Sequence, residues 1–428
     1  MKILIHNARL IDPDTDIDAE GYVIIESDLI KDVITSHHCD LDKSNFDRVI
    51  DAQKMVLCPA LIDIFVGVGE PGGQHRETFE TLSNAALASG IGTVMIDPDT
   101  APVLDTPATV DYALNRAKQN AKIHVSVAAA LSKNLDHKEM SQFGLLKDAG
   151  ISCVTSSDHT VSDSLLLCRS LSYASAEDLI VATYPDDINL SGDGIAHDGF
   201  LSSLYGLESV PAISEQIGLM RDIALAKETG AKLHIRGISS KESLPIIEQA
   251  KNEGVNLTVS VSSQHIALNE HDIIPYKSFF KMRPPLRTEE DRYALSEAVT
   301  SGLIDMVTSQ HRPRNADSKR LPYSEADFGC SALETLLPIM LELYHKEQCT
   351  LPEALCPVTS RPAKRFNLEG GFLQSGQKAN LTLIDLDRGY KLSRDNMISN
   401  ASNTPYEGRL MQGVCKMTMI DGQIAYEN

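Results

Sequence analysis

The chain has 428 residues, 39 Lys+Arg against 59 Asp+Glu, a formal charge of −20, and 42% hydrophobic residues. That length buries a large core in one big barrel or in two to three ordinary domains, which excludes a small peptide-like module and a disordered chain. The acidic balance, with no basic stripe to offset it, argues against a nucleic-acid partner, because displacing counterions from phosphates takes clustered Lys and Arg.

The first residues, MKILIHNARLIDPD, alternate apolar and polar and read as a strand, not a signal peptide. No apolar run approaches the roughly 20 residues of a membrane helix. Eight cysteines contain no C-x-x-C pair, and Cys58 and Cys168 lie among leucines, so reduced thiols in a cytoplasmic protein are expected. Short alternating strands at Lys2–His6, Gly21–Ile25, Leu381–Ile384, Met417–Ile420 and Gln423–Tyr426 mark both ends. Residues 1–55 and 372–428 are therefore expected to pair into one small composite β-domain, a β-sandwich built from both termini.

Between them, residues 56–371 alternate apolar strands with amphipathic helices. Val56-Leu57 and Leu61–Val68 lead into a helical stretch from Glu77, and later strands fall at Gly92–Ile96, His124–Ala130, Ile151–Thr155, Asp178–Thr183, Lys232–Ile235, Leu257–Val261 and Ile304–Thr308. This α/β pattern predicts a (β/α)8 TIM-like barrel, and no G-x-G-x-x-G follows the first strand to favour an open doubly wound sheet. Pro185 to Pro211, rich in Gly, Asp and Ser, is expected to be a mobile excursion. Its Asp186, Asp187, Asp193 and Asp198 fit no EF-hand spacing and read as solvated acids before a calcium site.

Several motifs then resemble those of dihydroorotases, in the amidohydrolase superfamily. Pro59-Ala60-Leu61-Ile62-Asp63-Ile64-Phe65-Val66-Gly67-Val68-Gly69-Glu70-Pro71-Gly72 is similar to P-G-[LF]-[IV]-D-x-H-V-H-L-R-E-P-G. Lys281 to Arg287 resembles K-x-N-P-P-L-R, Ile304 to Arg314 resembles I-D-x-I-A-T-D-H-A-P-H, and Asn403 to Gly408 resembles N-T-P-[FY]-x-G. The resemblance implies a cyclic amidase whose one or two zinc ions lower the pKa of a bound water to about 7.

At the positions where that family carries its ligands this chain has Phe65 and Gly67, Tyr184, Gly237 and Gln310, none of which supplies an imidazole or carboxylate. The bridging acid aligns with Ser156-Ser157 or, after a one-residue slip, with Asp158. Substrate contacts fall on Gly69, Asp99, Arg283 and Arg314 in place of the family's Arg, Asn, Asn and His. No zinc or other cofactor is therefore expected. His234, His265 and His311 fall near strand ends without H-x-H spacing and are expected to be core or loop residues.

These losses lead to the expectation of a catalytically inactive homologue, implied by the resemblance to be a structural or assembly subunit for the aspartate carbamoyltransferase catalytic chain in pyrimidine biosynthesis. Such a chain would sit in a homo- or hetero-oligomer. Two alternatives stay open: an active cyclic-amide hydrolase, dihydroorotase- or hydantoinase-like, with a rebuilt metal site, and a small-anion sensor using Arg283 and Arg314 in the vacated cavity.

Overall fold

The computed structural model describes residues 1–36, 39, 41–274 and 276–428. In chain order its strands are β1 (Lys2–Asp12), β2 (Ile17–Glu26), β3 (Leu29–Ile34), β4 (Arg48–Asp51), β5 (Val56–Pro59), β6 (Leu61–Val66), β7 (Ile91–Ile96), β8 (His124–Ala130), β9 (Cys153–Thr155), β10 (Ile180–Thr183), β11 (Ala196–His197) and β12 (Ser209–Val210). β13 (Lys232–Ile235), β14 (Leu257–Ser262), β15 (Met306–Thr308), β16 (Leu381–Lys391), β17 (Leu410–Ile420) and β18 (Gln423–Glu427) follow.

Eight parallel strands run in the order β15-β14-β13-β10-β9-β8-β7-β6 and form a nearly closed TIM-like barrel. Every residue of β6 and β7 is buried, as parallel strands covered on both faces require, which is why they read as continuous apolar runs. β6 and β15 meet through loop and side-chain bonds: Gly67 N–H donates to the His311 carbonyl at 2.8 Å, and Ser309 N–H to the Asp63 carboxylate at 2.9 Å. Burial pushes the Asp63 carboxyl up to about 6 despite the Ser309 bonds.

Local sequence sets the helices between strands. Thr78 caps Phe79–Ala88 in a capping box with Thr81, and Thr106 does the same for Pro107–Asn120, whose proline stands in the first turn, where no N–H bond is lost. Asp163 caps Ser164–Ala176, and Gly230, left-handed at φ 65°, ends Ala212–Thr229.

Both termini build one continuous sheet, β18-β17-β16-β5-β1-β2-β3, with β4 beside β1. Ile3, Ile5, Leu10, Leu57, Leu381 and Met417 pack within its core. The boundary lies a few residues later than expected. Val56–Pro59 belongs to this sheet, pairing Leu57 with Leu383 and Leu10, and the barrel starts at Leu61. Two buried apolar runs meeting at Ala60 carry no turn signal, so periodicity merges them.

The 185–211 segment is also more structured than expected. It carries helices Ile188–Ser191 and Phe200–Tyr205 and the paired β11 and β12. Its acids serve this local structure: Asp187 caps the first helix, Asp186 accepts from Ser191 Oγ at 2.6 Å and Asp198 from Ser209 Oγ at 2.8 Å. Among the described residues, no helix is long and apolar enough to cross a membrane.

Candidate active site

Barrel enzymes place their chemistry at the C-terminal ends of the strands, and here that face opens into two adjoining cavities. One, of about 170 Å³, is bordered by Asp99, Ser157, Gln310 and Arg314; the other, of about 510 Å³, reaches Tyr184 and the 185–211 segment. They share Asp158, His159, Met282, Arg283 and Phe328.

Beside the first cavity lies a buried ionic cluster. Arg236, just past β13, places Nη1 2.7 Å from Asp97 Oδ1 and Nη2 3.2 Å from Asp158 Oδ1. Arg312, past β15, contacts Asp97 Oδ2, lies 2.8 Å from Asp158 Oδ2 and reaches Asp99 Oδ1 at 2.9 Å. Asp97 and Asp158 thus each bridge both guanidinium groups, and Asp97 Oδ2 also accepts from Arg236 Nη2 at 3.3 Å. Thr155 Oγ1 accepts from Arg236 Nη1 at 2.7 Å, and Ser157 Oγ donates to Asp97 Oδ2 at 2.5 Å. Burial alone would raise both bridging carboxyls, but the two arginines outweigh it, holding Asp97 below the usual range and Asp158 down to about 2. Burial pushes the Asp99 carboxyl up, against the pull of Arg312.

The positions singled out in the sequence surround this cluster. Phe65 has φ 59° and is 2% exposed, and the Arg236 guanidinium carbon sits 4.0 Å over its ring. A Cβ on Gly67 would stand 2.9 Å from the His311 carbonyl oxygen and 3.1 Å from Arg312 Cδ. Gly69 is closed to any side chain, since a Cβ there would lie 2.0 Å from the Gly73 carbonyl oxygen. Gly237, at φ 66°, has room only beside Pro284 and Tyr184, 3.4 and 3.9 Å from where its Cβ would be. Burial raises the Tyr184 phenol well above its ordinary pKa. Gln310 donates from Nε2 to the Arg283 carbonyl at 2.6 Å.

Arg283 stacks 4.3 Å over Phe328, and Arg314 donates from Nε to the Phe328 carbonyl at 2.8 Å. Among the described residues neither has a salt-bridge partner. His159 faces both cavities, and partial burial, with Arg283 and Arg312 nearby, lowers its pKa, so it is a neutral base near pH 7.

His137 also lines the larger cavity, whereas His234, His265 and His311 are built into the fold and border neither. His234 bonds Thr258 Oγ1 at 2.9 Å and Ser260 Oγ at 3.0 Å; His265 lies 2.7 Å from Ser262 Oγ and 3.2 Å from the Pro284 carbonyl. His311 takes the Ala332 N–H at 3.2 Å and faces Glu77 at 3.5 Å.

A zinc centre needs at least three donors free to converge. Among the described residues no three His, Cys, Asp or Glu side chains are so placed, and Asp97, Asp99 and Asp158 are committed to guanidinium groups. The donor set does not fit the implied metal.

Asp97, Arg236 and Arg312 lie outside the family's ligand and substrate positions. A signal is present in the sequence: Arg312 stands at the Ala of T-D-H-A-P-H, and Asp97 directly follows the apolar run ending at Ile96, charges of opposite sign at two strand ends.

Residues 54–243 match the family model described as Dihydro-orotase-like. A dihydroorotase of Ehrlichia chaffeensis is 36% identical over 422 residues, covering 98% of this chain and 94% of the relative. One of Syntrophotalea carbinolica is 34% identical over 426 residues, covering 100% and 99%. The L-hydantoinase of Arthrobacter aurescens superposes with a TM-score of 0.88 at 22% identity, covering 99% of this chain and 96% of that one, a likeness of fold.

These relatives overturn the expectation of an inactive assembly subunit. Chains aligned with this one almost end to end carry the name of an enzyme, and substituted ligand positions remove one way of activating water without removing every way. Full-length identity of about a third to such chains, on a shared barrel, places this chain in the dihydroorotase family.

Proposed function

We propose that the chain is a cyclic amidohydrolase acting on a carboxylate-bearing ring of the dihydroorotate class, at the shared cavity and without zinc. The observation that carries this reading is the end-to-end similarity to chains named dihydroorotase. Arg283 and Arg314, at the cavity wall and without a salt-bridge partner among the described residues, supply an attractive site for the anionic substrate. Neutral His159 is the base in this reading. It takes a proton from water as the water oxygen bonds to the ring carbonyl carbon. The C–N bond then breaks, and the leaving nitrogen receives the proton that His159 holds. The positive face of Arg283 favours the negative charge that develops on the carbonyl oxygen.

The test is ring opening of dihydroorotate and ring closure of carbamoyl aspartate by purified protein, with and without chelator. His159→Asn should lower turnover by about 10²–10⁴-fold, the usual worth of a positioned base. Absence of turnover in both directions rejects the reading. On the sequence resemblance alone, we also propose association with the aspartate carbamoyltransferase catalytic chain, which co-purification and sizing would test. The eight cysteines, all free thiols, support a cytoplasmic location.

A further inference from the structure

The disagreement between the donor set and the implied zinc pair has a structural cause. We infer that the guanidinium groups of Arg236 and Arg312 are a built-in replacement for two metal ions, cross-linked by Asp97 and Asp158 as bridging carboxylates cross-link a metal pair. The inference concerns the same cavity as the proposed hydrolase, but it does not depend on turnover there.

Three observations carry it. The first is occupancy: Arg236 lies over Phe65 and Arg312 packs against Gly67, the two places where the family pattern has H-x-H. A Cβ at 67 would press on the His311 carbonyl and on the Arg312 side chain, so Arg312 in this position favours glycine there. The second is connectivity, since each acid contacts both cations: Asp97 meets Arg236 at 2.7 Å and Arg312 at a shorter contact, and Asp158 gives one oxygen to each at 3.2 and 2.8 Å. The third is burial: Arg236 and Arg312 side chains are 6% and 4% exposed and Asp97 is fully buried. Charges so enclosed persist only when paired. Removing both arginines would leave Asp97, Asp99 and Asp158 facing one another without a cation, an arrangement that either takes up protons or recruits a divalent ion.

The experiment uses full-length wild type and the double variant Arg236→Ala/Arg312→Ala. Each is stripped with chelator, incubated with Zn²⁺ or Mn²⁺, desalted, and analysed for bound metal and for melting temperature. Wild type should retain far less than one equivalent and show no metal-dependent shift. The double variant should melt lower, and be restored by either divalent ion or by millimolar methylguanidinium, which re-supplies the missing group. If that variant does not fold, Arg312→Ala alone, purified with and without methylguanidinium, carries the same comparison. Zinc held stoichiometrically by wild type and lost on Asp158→Asn overturns the inference, as does a folded arginine variant indifferent to both metal and methylguanidinium. Zinc held equally by wild type and Asp158→Asn lies elsewhere and leaves the arginine-filled cluster standing. Zinc-free wild type without hydrolase activity would reject the proposed function while supporting this inference, whereas zinc at Asp158 in an active wild type would overturn this inference together with the zinc-free form of the proposed function.

Discussion

Arg312→Met keeps much of the side chain's length and removes its charge, leaving three carboxylates to share Arg236. Breaking a buried ion pair by deleting one partner costs about 3–5 kcal/mol. Within the cluster the parts differ: Asp97 is fully buried, whereas the Asp158 and Asp99 side chains are 21% and 35% exposed and can regain water. Those two contacts therefore add at most about 1 kcal/mol each. Because Arg236 still binds Asp97, the lower end, about 3 kcal/mol, is expected. Urea unfolding followed by circular dichroism should show the midpoint falling with little change in slope. Asp97→Asn in the same chain should recover part of the loss, giving a coupling of about 1–3 kcal/mol in a double-mutant cycle. A loss below about 1 kcal/mol, or strict additivity of the two changes, would refute the reasoning.

Gly67→Ala should destabilise by about 1–3 kcal/mol through overpacking against the His311 carbonyl and Arg312, while Gly389→Ala, whose nearest atom is 3.8 Å away, should stay within about 1 kcal/mol; parallel urea titrations compare them. His265, held neutral by burial with its pKa down to about 4, contributes stability that is complete above about pH 6.5 and lost as pH falls from there through 4. A unfolding series in that window should therefore slope less in His265→Gln than in wild type. Asp158 behaves as a depressed acid: its contribution is present above about pH 4 and lost toward about 2, so Asp158→Asn should flatten that lower limb. Asp63 should show the infrared carbonyl stretch of a protonated carboxyl that disappears with a midpoint near pH 6, and Asp63→Asn should lack it. Since its pKa is raised by burial, stability falls as pH rises from about 4 to 6, the opposite sign to Asp158.

The barrel was legible because each buried parallel strand is a short apolar run followed by an amphipathic helix, as Ile91–Ile96 before Pro107–Asn120 illustrates. Pairing of the two termini followed from alternating strands at each end. The placement of Val56–Pro59 was not legible, because a buried interior strand of the terminal sheet has the same composition as a barrel strand. Nor was the order in 185–211, where Asp187 caps a helix whose four residues show no periodicity of their own. At the site, the substituted ligand positions could be read one at a time, but their replacement could not. Asp97, Asp158, Arg236 and Arg312 come from four separate strand ends, and only the closed barrel makes them neighbours. Read singly, Asp99 is a substituted substrate contact, whereas in the fold it is paired with Arg312 at 2.9 Å.

The most direct test of the functional account is a dihydroorotase assay on chelator-treated, metal-analysed protein, run in both directions beside His159→Asn. The account predicts ring opening and closure that chelator leaves unchanged and that the variant loses by about 10²-fold or more. No turnover in either direction, or turnover that appears only with added zinc, would contradict it.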